Sequence, residues 1–270
     1  MEKSTLTGII LGFVAVVLGM VLKGAPLSML NNVAALLIIL GGTAASLFIG
    51  FPMEELKKFP KLIAMTFKKQ ELLSKRAIIE IFMEWATITR REGLLALESR
   101  VEEINDPFLK NGMRMIIDGN DQDFVHDVLM EDIAAMEERH KAGQQLFTQA
   151  GTYAPTLGVL GAVIGLIAAL GNLNDHETLG HSIASAFVAT LLGIFTGYVL
   201  WHPIANKLKR MSKREAEIKL MMVEGLLSIQ SGVSTIAISQ KLSVFLSPNE
   251  RMSDEEVEKG AFGREEVQKA

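Results

Sequence analysis

PTLGVLGAVIGLIAALG at residues 155–171 and IASAFVATLLGIFTGYVLW at residues 183–201 are the two stretches that decide the fold. Neither contains an Asp, Glu, Lys or Arg, and only a short polar turn separates them. A helix of about 20 apolar residues spans the hydrocarbon core of a bilayer. The pattern therefore predicts a hairpin of two transmembrane helices.

A second pair of charge-free stretches opens the chain: LTGIILGFVAVVLGMVL at 6–22 and VAALLIILGGTAASLFIGF at 33–51. The alternatives are buried helices of a soluble protein and, for the first stretch, a cleaved signal peptide. Close pairing across short polar turns favours membrane hairpins over both. We predict an all-α polytopic membrane protein with a cytoplasmic helical domain and four transmembrane helices, at about 4–22, 33–51, 152–171 and 179–201.

The segments outside the hairpins are charged and carry apolar residues at helical spacing. One such pattern runs from Val125 to Met136 and continues without a break toward the third membrane segment, and another runs from Ile218 to Leu242. The residues beyond Pro248 are polar and acidic, which is typical of disorder. The predicted organisation is a first hairpin at 1–51, a cytoplasmic helical domain at 52–150, a second hairpin at 151–203, a cytoplasmic C-terminal helix at 204–247 and a disordered tail at 248–270.

Basic residues set the predicted orientation. Lys57, Lys58 and Lys61 follow the second membrane segment, and Lys207 and Lys209 follow the fourth, whereas the turns within the hairpins contain a single lysine. Because basic residues accumulate on the cytoplasmic side, both termini and the long loop are expected in the cytoplasm. The chain is therefore expected to be a multi-pass protein of the inner (cytoplasmic) membrane.

Composition and motifs exclude several classes of function. The chain has no cysteine, which excludes a disulfide scaffold, a thiolate zinc site and a cysteine nucleophile. A net charge of -4 and a pI near 5.8 argue against nucleic-acid binding. The sequence has no glycine-rich phosphate loop, no His-Glu-x-x-His motif and no nucleophile elbow. We therefore expect no enzyme activity, no cofactor and no metal site.

The membrane segments contain no Asp, Glu, Lys or Arg, and His181 and His202 lie at the ends of the fourth segment. Proton relays and transporters usually need such a group inside the membrane, so this chain alone is a poor ion relay. Small residues recur at four-residue spacing, which lets helix backbones approach closely. Three stripes show this spacing: Gly8 and Gly12, Gly161 and Gly165, and Ala189, Gly193 and Gly197. Packing within the chain's own bundle is one explanation. Three such stripes exceed what one small bundle needs, so we predict oligomerisation or a second membrane subunit that brings the carboxylate.

Two prolines lie near one predicted membrane boundary, Pro155 at the start of the third span and Pro203 just past the end of the fourth. A proline frees a backbone carbonyl and weakens a membrane helix locally. Together the two prolines would form a hinge. The alternative is that each simply marks a helix end.

The segments APTLGVLGAVIGLIAALG and AFVATLLGIFTGYVLWHPIANKL, together with the loop stretch RREGLLALE and the two-hairpin layout, resemble the MotA family of flagellar stator subunits. This family lies in the MotA/ExbB/TolQ proton-channel superfamily. The resemblance covers roughly residues 1–247, and the opening MEKSTLTGIILGFVAVVLGMVLKG resembles members from Bacillus-like bacteria.

The resemblance implies a ring of five such subunits around a dimer of MotB, whose membrane aspartate accepts the ion. Ion flow past that aspartate then drives rotation, and the ring pushes on the rotor protein FliG. The family's rotor-contacting Arg and Glu match Arg90 and Glu98, although exposed charges are ordinarily just solvated surface.

The family's prolines match Pro155 and Pro203, and its pore-facing threonine matches Thr190. The other interpretation of Thr190 is a hydroxyl bonded back to its own helix. Sodium-driven relatives carry added hydroxyls at positions matching Ala162 and Ala189. Because a dehydrated hard cation needs several oxygen ligands, the two methyl groups favour protons as the transported ion.

Two other functions compete with a torque generator. An energy transducer like ExbB and TolQ shares the plan of a ring around a dimer, but such proteins usually have three membrane helices. A solute transporter would place binding groups or broken helices at mid-membrane, and polar groups are sparse there.

Overall fold

A computed structural model describes residues 3–171, 173, 175–248 and 250. Throughout these residues the secondary structure is helical, with no β-strand, and the predicted all-α fold is confirmed. The predicted tail at 248–270 lies almost wholly outside the described residues. The chain forms two compact units: a membrane unit, from the described residues up to 70 and from 138 to 212, and a bundle unit, from 71 to 137 and from 213 onward.

Eleven helices follow one another in the described part of the chain. They are α1 (Lys3–Leu22), α2 (Val33–Leu36, Leu37–Gly41 and Gly42–Gly50), α3 (Met53–Leu56), α4 (Phe59–Thr66), α5 (Lys75–Glu92), α6 (Glu98–Glu102), α7 (Pro107–Ile117), α8 (Gln122–Leu170), α9 (His176–Phe195 and Thr196–Trp201), α10 (His202–Gln230) and α11 (Thr235–Ser243). The stretches Leu37–Gly41 and Thr196–Trp201 are π-helical, and 3₁₀ turns at Leu27–Leu30 and Leu94–Leu97 precede α2 and α6.

The membrane unit contains the apolar helices. Within the described residues, the helical stretches long and apolar enough to cross a membrane number four: Ser4–Leu22, Leu27–Gly50, Gln122–Leu170 and His176–Gln230. The four predicted membrane helices are therefore confirmed. Large apolar side chains such as Leu11, Ile49 and Ile167 are exposed on the isolated chain, as expected of surfaces that face lipid or a neighbouring subunit.

Helix α8 is continuous over 49 residues, from Gln122 to Leu170. Asp121 begins it, because its side chain accepts a hydrogen bond from the backbone N–H of Phe124 at 2.9 Å. The apolar pattern predicted this continuity from Val125 toward the third membrane segment. Pro155 lies inside the helix without ending it.

The bundle unit has an apolar core of its own that includes Phe82, Trp85 and Met221. Its helices begin at side-chain caps, with Ser74 before α5 and Asp106 before α7 accepting backbone hydrogen bonds. The backbone of α10 packs directly against Phe82 in this core, since a Cβ atom at Gly225 would lie 2.3 Å from the Phe82 ring.

The C-terminal region differs from the single helix expected over 204–247. Helix α10 ends at Gln230, and α11 begins at Thr235 after a turn. Gly232 adopts a positive φ of 65°, and the N–H of Val233 donates to the carbonyl of Ser228. This is the Schellman type of helix end, in which glycine takes the left-handed position.

Candidate functional site

The glycines of α8 and α9 face each other across the second hairpin. A Cβ atom at Gly158 would lie 2.9 Å from the Cα of Gly193, and one at Gly193 would lie 2.8 Å from the carbonyl oxygen of Ala154. No side chain fits at this crossing, so the two backbones are in direct contact.

This packing corrects one step of the sequence argument. The stripes on α8 and α9 were expected to exceed the needs of the chain's own bundle, but they pack on each other. On α1, a Cβ atom at Gly12 would meet Val199 at 2.6 Å, whereas Gly8 has nothing within 4 Å. The four-residue spacing of small residues could not predict these partners. It indicates that a helix face allows close approach, but it does not identify the helix that packs against that face. The glycine stripes therefore do not by themselves require a second subunit.

The ring of Pro155 on α8 packs against the backbone of Gly197 on α9. A Cβ atom at Gly197 would lie 2.7 Å from the proline Cγ and 2.8 Å from the carbonyl oxygen of Gly151. Proline has no N–H to donate to the carbonyl four residues earlier, so the Gly151 carbonyl loses its usual helical partner. Gly197, within the π-helical stretch of α9, makes room for both the ring and this carbonyl.

Pro203 has different neighbours. It is exposed and lines an open groove of about 410 Å³ between α1 and the junction of α9 and α10. Ser4, Thr5 and Lys207 line the same groove, and Lys207 donates a hydrogen bond to the Thr5 hydroxyl. The structure thus places the two predicted prolines against different parts of the membrane unit.

The hydroxyl of Thr190 forms no hydrogen bond with any residue in the described part of the chain. Other threonines nearby behave differently: Thr196 donates to the carbonyl of Leu192 at 2.9 Å, and Thr156 donates to that of Tyr153 at 2.8 Å. Thr190 is half-buried on α9. Its hydroxyl is therefore not satisfied by its own helix, which was the alternative interpretation of this residue.

Ala162 and Ala189 have unequal surroundings. Ala189 is buried, 2% exposed, with its methyl group 3.2 Å from where a Cβ atom would stand at Gly161. Ala162 on α8 is half-buried. Ala189 thus contributes to the contact between α8 and α9, while Ala162 and Thr190 retain accessible surface.

Acidic side chains are absent from the interior of the described residues. The buried polar residues there are threonines and serines alone: Thr43, Thr66, Thr196, Ser212 and Ser228. Nor do His, Asp and Glu gather anywhere in the described chain into a group of three that could hold a metal ion. The membrane unit offers hydroxyls to an ion, but no buried carboxylate.

Arg90 and Glu98 are both exposed on the bundle unit, on either side of a sharp turn. Arg90 lies in the last turn of α5, Gly93 ends that helix at a positive φ of 85°, and Glu98 begins α6. Neither charge forms an ion pair with a residue that the structure describes. Leu95 lies between them and is 73% exposed, a feature that the sequence analysis missed.

A nearby carboxylate shows what a paired charge looks like in this unit. Lys110 and Arg114 hydrogen-bond to Glu102, which lowers the pKa of that carboxyl below its ordinary value. Arg90 and Glu98 have no such ion-pair partner among the described residues. Their charges are therefore available to solvent or to another protein.

One polar contact within the membrane unit was not foreseen. The Asn32 side chain caps α2 by accepting from the N–H of Ala35 and donates to the Ser185 hydroxyl on α9 at 2.7 Å. An asparagine immediately before an apolar run is a recognisable cap signal, but its partner on α9 is not encoded locally.

Comparison with known proteins places the chain among motility proteins. Residues 100–221 match the model of the MotA/TolQ/ExbB proton channel family, and residues 6–93 match that of the motility protein A N-terminal region. Motility protein A of Bacillus subtilis is 52% identical over 270 residues, which cover 100% of both chains.

Two solved structures are similar over nearly the whole chain. The first is a chain of the flagellar MotAB stator complex from Bacillus subtilis, with a TM-score of 0.89, 54% identity and coverage of 93% of this chain and 99% of that one. The second is a chain of C. jejuni MotAB, with a TM-score of 0.87, 31% identity and coverage of 92% and 97%.

Proposed function

The chain belongs to the MotA/TolQ/ExbB proton channel family and is a stator subunit of the bacterial flagellar motor, and we propose that it conducts protons only together with a MotB-type partner. The related complexes from Bacillus subtilis and C. jejuni contain both MotA and MotB. Four membrane spans, together with the match to the motility protein A N-terminal model, favour this function over an ExbB-like or TolQ-like energy transducer.

The observation that carries the proposal is the chemistry of the membrane unit. The four predicted spans, at 4–22, 33–51, 152–171 and 179–201, contain no Asp or Glu, and the buried polar residues in the described part of the chain are threonines and serines. A hydroxyl can donate to a carboxylate or hold a water beside it, but it does not take up a proton near neutral pH. The group that binds and releases the proton therefore comes from the partner, as the membrane aspartate of a MotB dimer.

Thr190 is the hydroxyl proposed to meet that aspartate. It is half-buried, and its Oγ1 forms no hydrogen bond within the described residues, so the hydroxyl is available to a carboxylate or a water from outside the chain. Ala162 and Ala189 bring methyl groups rather than oxygen ligands. Because sodium would need several oxygens in place of its water shell, protons are the proposed ion.

The glycine-packed hairpin of α8 and α9 is the proposed repeating element of a ring of five subunits around the partner dimer. The backbones of α8 and α9 are in direct contact at Gly158 and Gly193. Pro155 and Pro203 are proposed to flex the hairpin where each lies, since proline removes a helical hydrogen bond.

Torque transfer is proposed to occur at Arg90 and Glu98, with FliG of the rotor as the partner. Both side chains are exposed, and neither is neutralised by an ion pair within the described residues. A positive and a negative charge side by side can pair with complementary charges on FliG. Such pairing sets the register of the two proteins and speeds their association. With the basic residues after the second and fourth spans in the cytoplasm, this surface and both termini face the rotor side.

Proton flux in liposomes tests the proposal. The chain purified with its MotB-type partner should acidify the lumen when a membrane potential is imposed, whereas the chain alone should not. A complex whose partner carries Asn in place of the membrane Asp should assemble and fail to conduct. Conduction by the chain alone would contradict the proposal.

A further inference from the structure

A group of lysines follows the second membrane span, in a segment at 57–70 that contains no Asp or Glu. All of these side chains are exposed, and none forms an ion pair with a residue that the structure describes. We call this group the lysine collar; its members are Lys57, Lys58, Lys61, Lys68 and Lys69. Its positive charge is therefore balanced by something outside the chain.

The segment that carries the collar is packed firmly on the membrane unit. Its apolar side chains contact a buried cluster of α8 and α10 residues; they are Leu56, Phe59, Leu62 and Ile63. The Phe59 ring stacks on that of Phe147 at a centroid distance of 4.6 Å, and a Cβ atom at Gly143 would lie 3.0 Å from the Leu62 side chain. The lysines are thus held on a packed helical segment and not on a loose loop.

Two contacts place this segment at the boundary of the membrane spans. At the end of α4, the carbonyl of Thr66 accepts a hydrogen bond from the hydroxyl of Thr5 at 3.0 Å, and Thr5 lies in the first turn of the first span. At the start of α4, the Phe59 ring lies 5.9 Å from that of Trp201, at the end of the fourth predicted span. Indole rings at the ends of spans commonly lie at the level of lipid headgroups. Both ends of α4 therefore lie at the membrane surface.

The collar does not stabilise the helix that carries it. Lys58 directly precedes α4 and Lys61 lies in its first turn, which contains no acidic residue. The helix dipole disfavours positive charge at this end of a helix. The stability of α4 therefore does not explain these charges, whereas a negatively charged partner does.

Anionic phospholipid headgroups match both the charge and the position of the collar. Basic residues beside a span are attracted to a surface that contains anionic lipids, and each strengthens the association about fivefold. Glu54 and Glu55 on α3 precede the collar and offset part of this attraction. The five lysines outnumber them, so the net interaction with anionic headgroups is favourable.

We propose that the lysine collar binds the headgroups of anionic phospholipids, whose phosphate oxygens accept hydrogen bonds from the lysine ammonium groups. The lipids hold α3 and α4 at the membrane surface beside the first and second spans. This binding is separate from ion conduction and would persist in an inactive complex. A failure of the lipid proposal would therefore leave the proposed function standing.

Competition between two lipids tests the proposal. The complex with its MotB-type partner is exchanged into an equal mixture of phosphatidylglycerol and phosphatidylcholine, and the retained lipids are counted by native mass spectrometry. The wild-type complex should retain phosphatidylglycerol over phosphatidylcholine by about tenfold or more. The triple variant with Lys58→Gln, Lys61→Gln and Lys68→Gln should bring this ratio close to one. Raised salt should lower the wild-type ratio by screening the charges.

Two further triple variants are the controls. Arg in place of Lys at the same three positions keeps the charge and should keep most of the wild-type ratio. Lys23→Gln, Lys213→Gln and Arg214→Gln together remove as much charge from exposed positions outside the collar, and this variant should also keep the ratio. Equal losses in the two glutamine variants would mean that net charge alone sets the ratio. A wild-type ratio near one would mean that the collar is simply solvated, and either result overturns the proposal.

Excess inorganic phosphate separates a lipid headgroup from a free anion. A headgroup is anchored by its acyl chains, so phosphate should lower the lipid ratio no more than chloride does at the same ionic strength. Displacement of phosphatidylglycerol by phosphate beyond the effect of chloride would assign the collar to a soluble anion. That result would overturn the assignment to lipid.

Discussion

Pro155 on α8 packs against Gly197 on α9 so closely that a Cβ atom at Gly197 would lie 2.7 Å from the proline Cγ. A second obstacle, the carbonyl oxygen of Gly151, would lie 2.8 Å away. The backbone of Gly197 is thus the surface on which the proline rests. Helix α8 lacks one backbone hydrogen bond at Pro155. The contact with Gly197 therefore joins this weakened point of α8 to the π-helical stretch of α9.

Gly197→Ala should therefore destabilise the complex by about 1–3 kcal/mol, the usual effect of overpacking a tight contact. The measurement is the thermal denaturation midpoint of the purified complex. Gly19→Ala is the control, because a Cβ atom there would have nothing within 4 Å on α1. The steric account fails if both alanines leave the midpoint equally unchanged.

Thr190→Val should lower proton flux and swimming speed about fivefold to tenfold while the complex still assembles. The valine keeps the shape and removes one hydroxyl, and a hydrogen bond of about 1–1.5 kcal/mol corresponds to a rate change of this size. Thr190→Ser should restore most of the flux.

Thr196→Val is the control for a hydroxyl on the same helix, since Thr196 is bonded to the carbonyls of Leu192 and Gly193. It should leave flux near the wild-type value. Equal losses at Thr190 and Thr196 would indicate a general effect on α9 rather than a role in the ion path.

Arg90→Glu or Glu98→Lys should reduce torque, and reversal of a complementary charge on FliG should recover part of it. Exposed charge pairs contribute about 1 kcal/mol or less to stability, so folding should be unaffected. The measurement is rotation speed of tethered cells under load. Glu131→Lys, at an exposed position on α8 in the same unit, should leave torque unchanged.

Leu95→Asp should reduce torque more than it reduces stability. Leu95 is 73% exposed between the two charges, so its side chain contributes little to the core of the bundle unit. An apolar side chain flanked by unpaired charges suits the centre of a contact with a partner. The variant is compared with wild type by torque and by unfolding of the purified complex, and a large loss of stability would instead assign Leu95 to folding.

The membrane fold could be predicted from the sequence because lipid imposes a strict rule: each span must be long, apolar and helical. The turn at Gly232 could not, since the apolar spacing from Ile218 to Leu242 continues through it. The packing partners of the glycine stripes could not be predicted either, because they depend on how the helices are arranged in the folded protein. The role of Thr190 was predicted only through the family resemblance. That its hydroxyl lacks a hydrogen bond depends on the folded structure and could not be predicted from the sequence.

Asp175 should make the start of α9 sensitive to acid. Its carboxylate accepts hydrogen bonds from the Thr178 hydroxyl and from the backbone N–H groups of Thr178 and Glu177, and these bonds lower the pKa of Asp175 below its ordinary value of 3.8. A carboxyl whose pKa is lower when folded stabilises the folded state above its ordinary pKa. That contribution is lost as the pH falls from about 3.8 through the lowered value.

Hydrogen exchange in the first turn of α9, measured between neutral pH and pH 2.5, should therefore show protection that weakens at the acidic end, after correction for the intrinsic rate. Asp175→Asn should keep a cap that does not titrate, with protection that changes less over this range, because asparagine is also a good N-cap. Asp175→Ala should lose protection at every pH. The same pH dependence in wild type and in Asp175→Asn would show that another group controls the start of this helix.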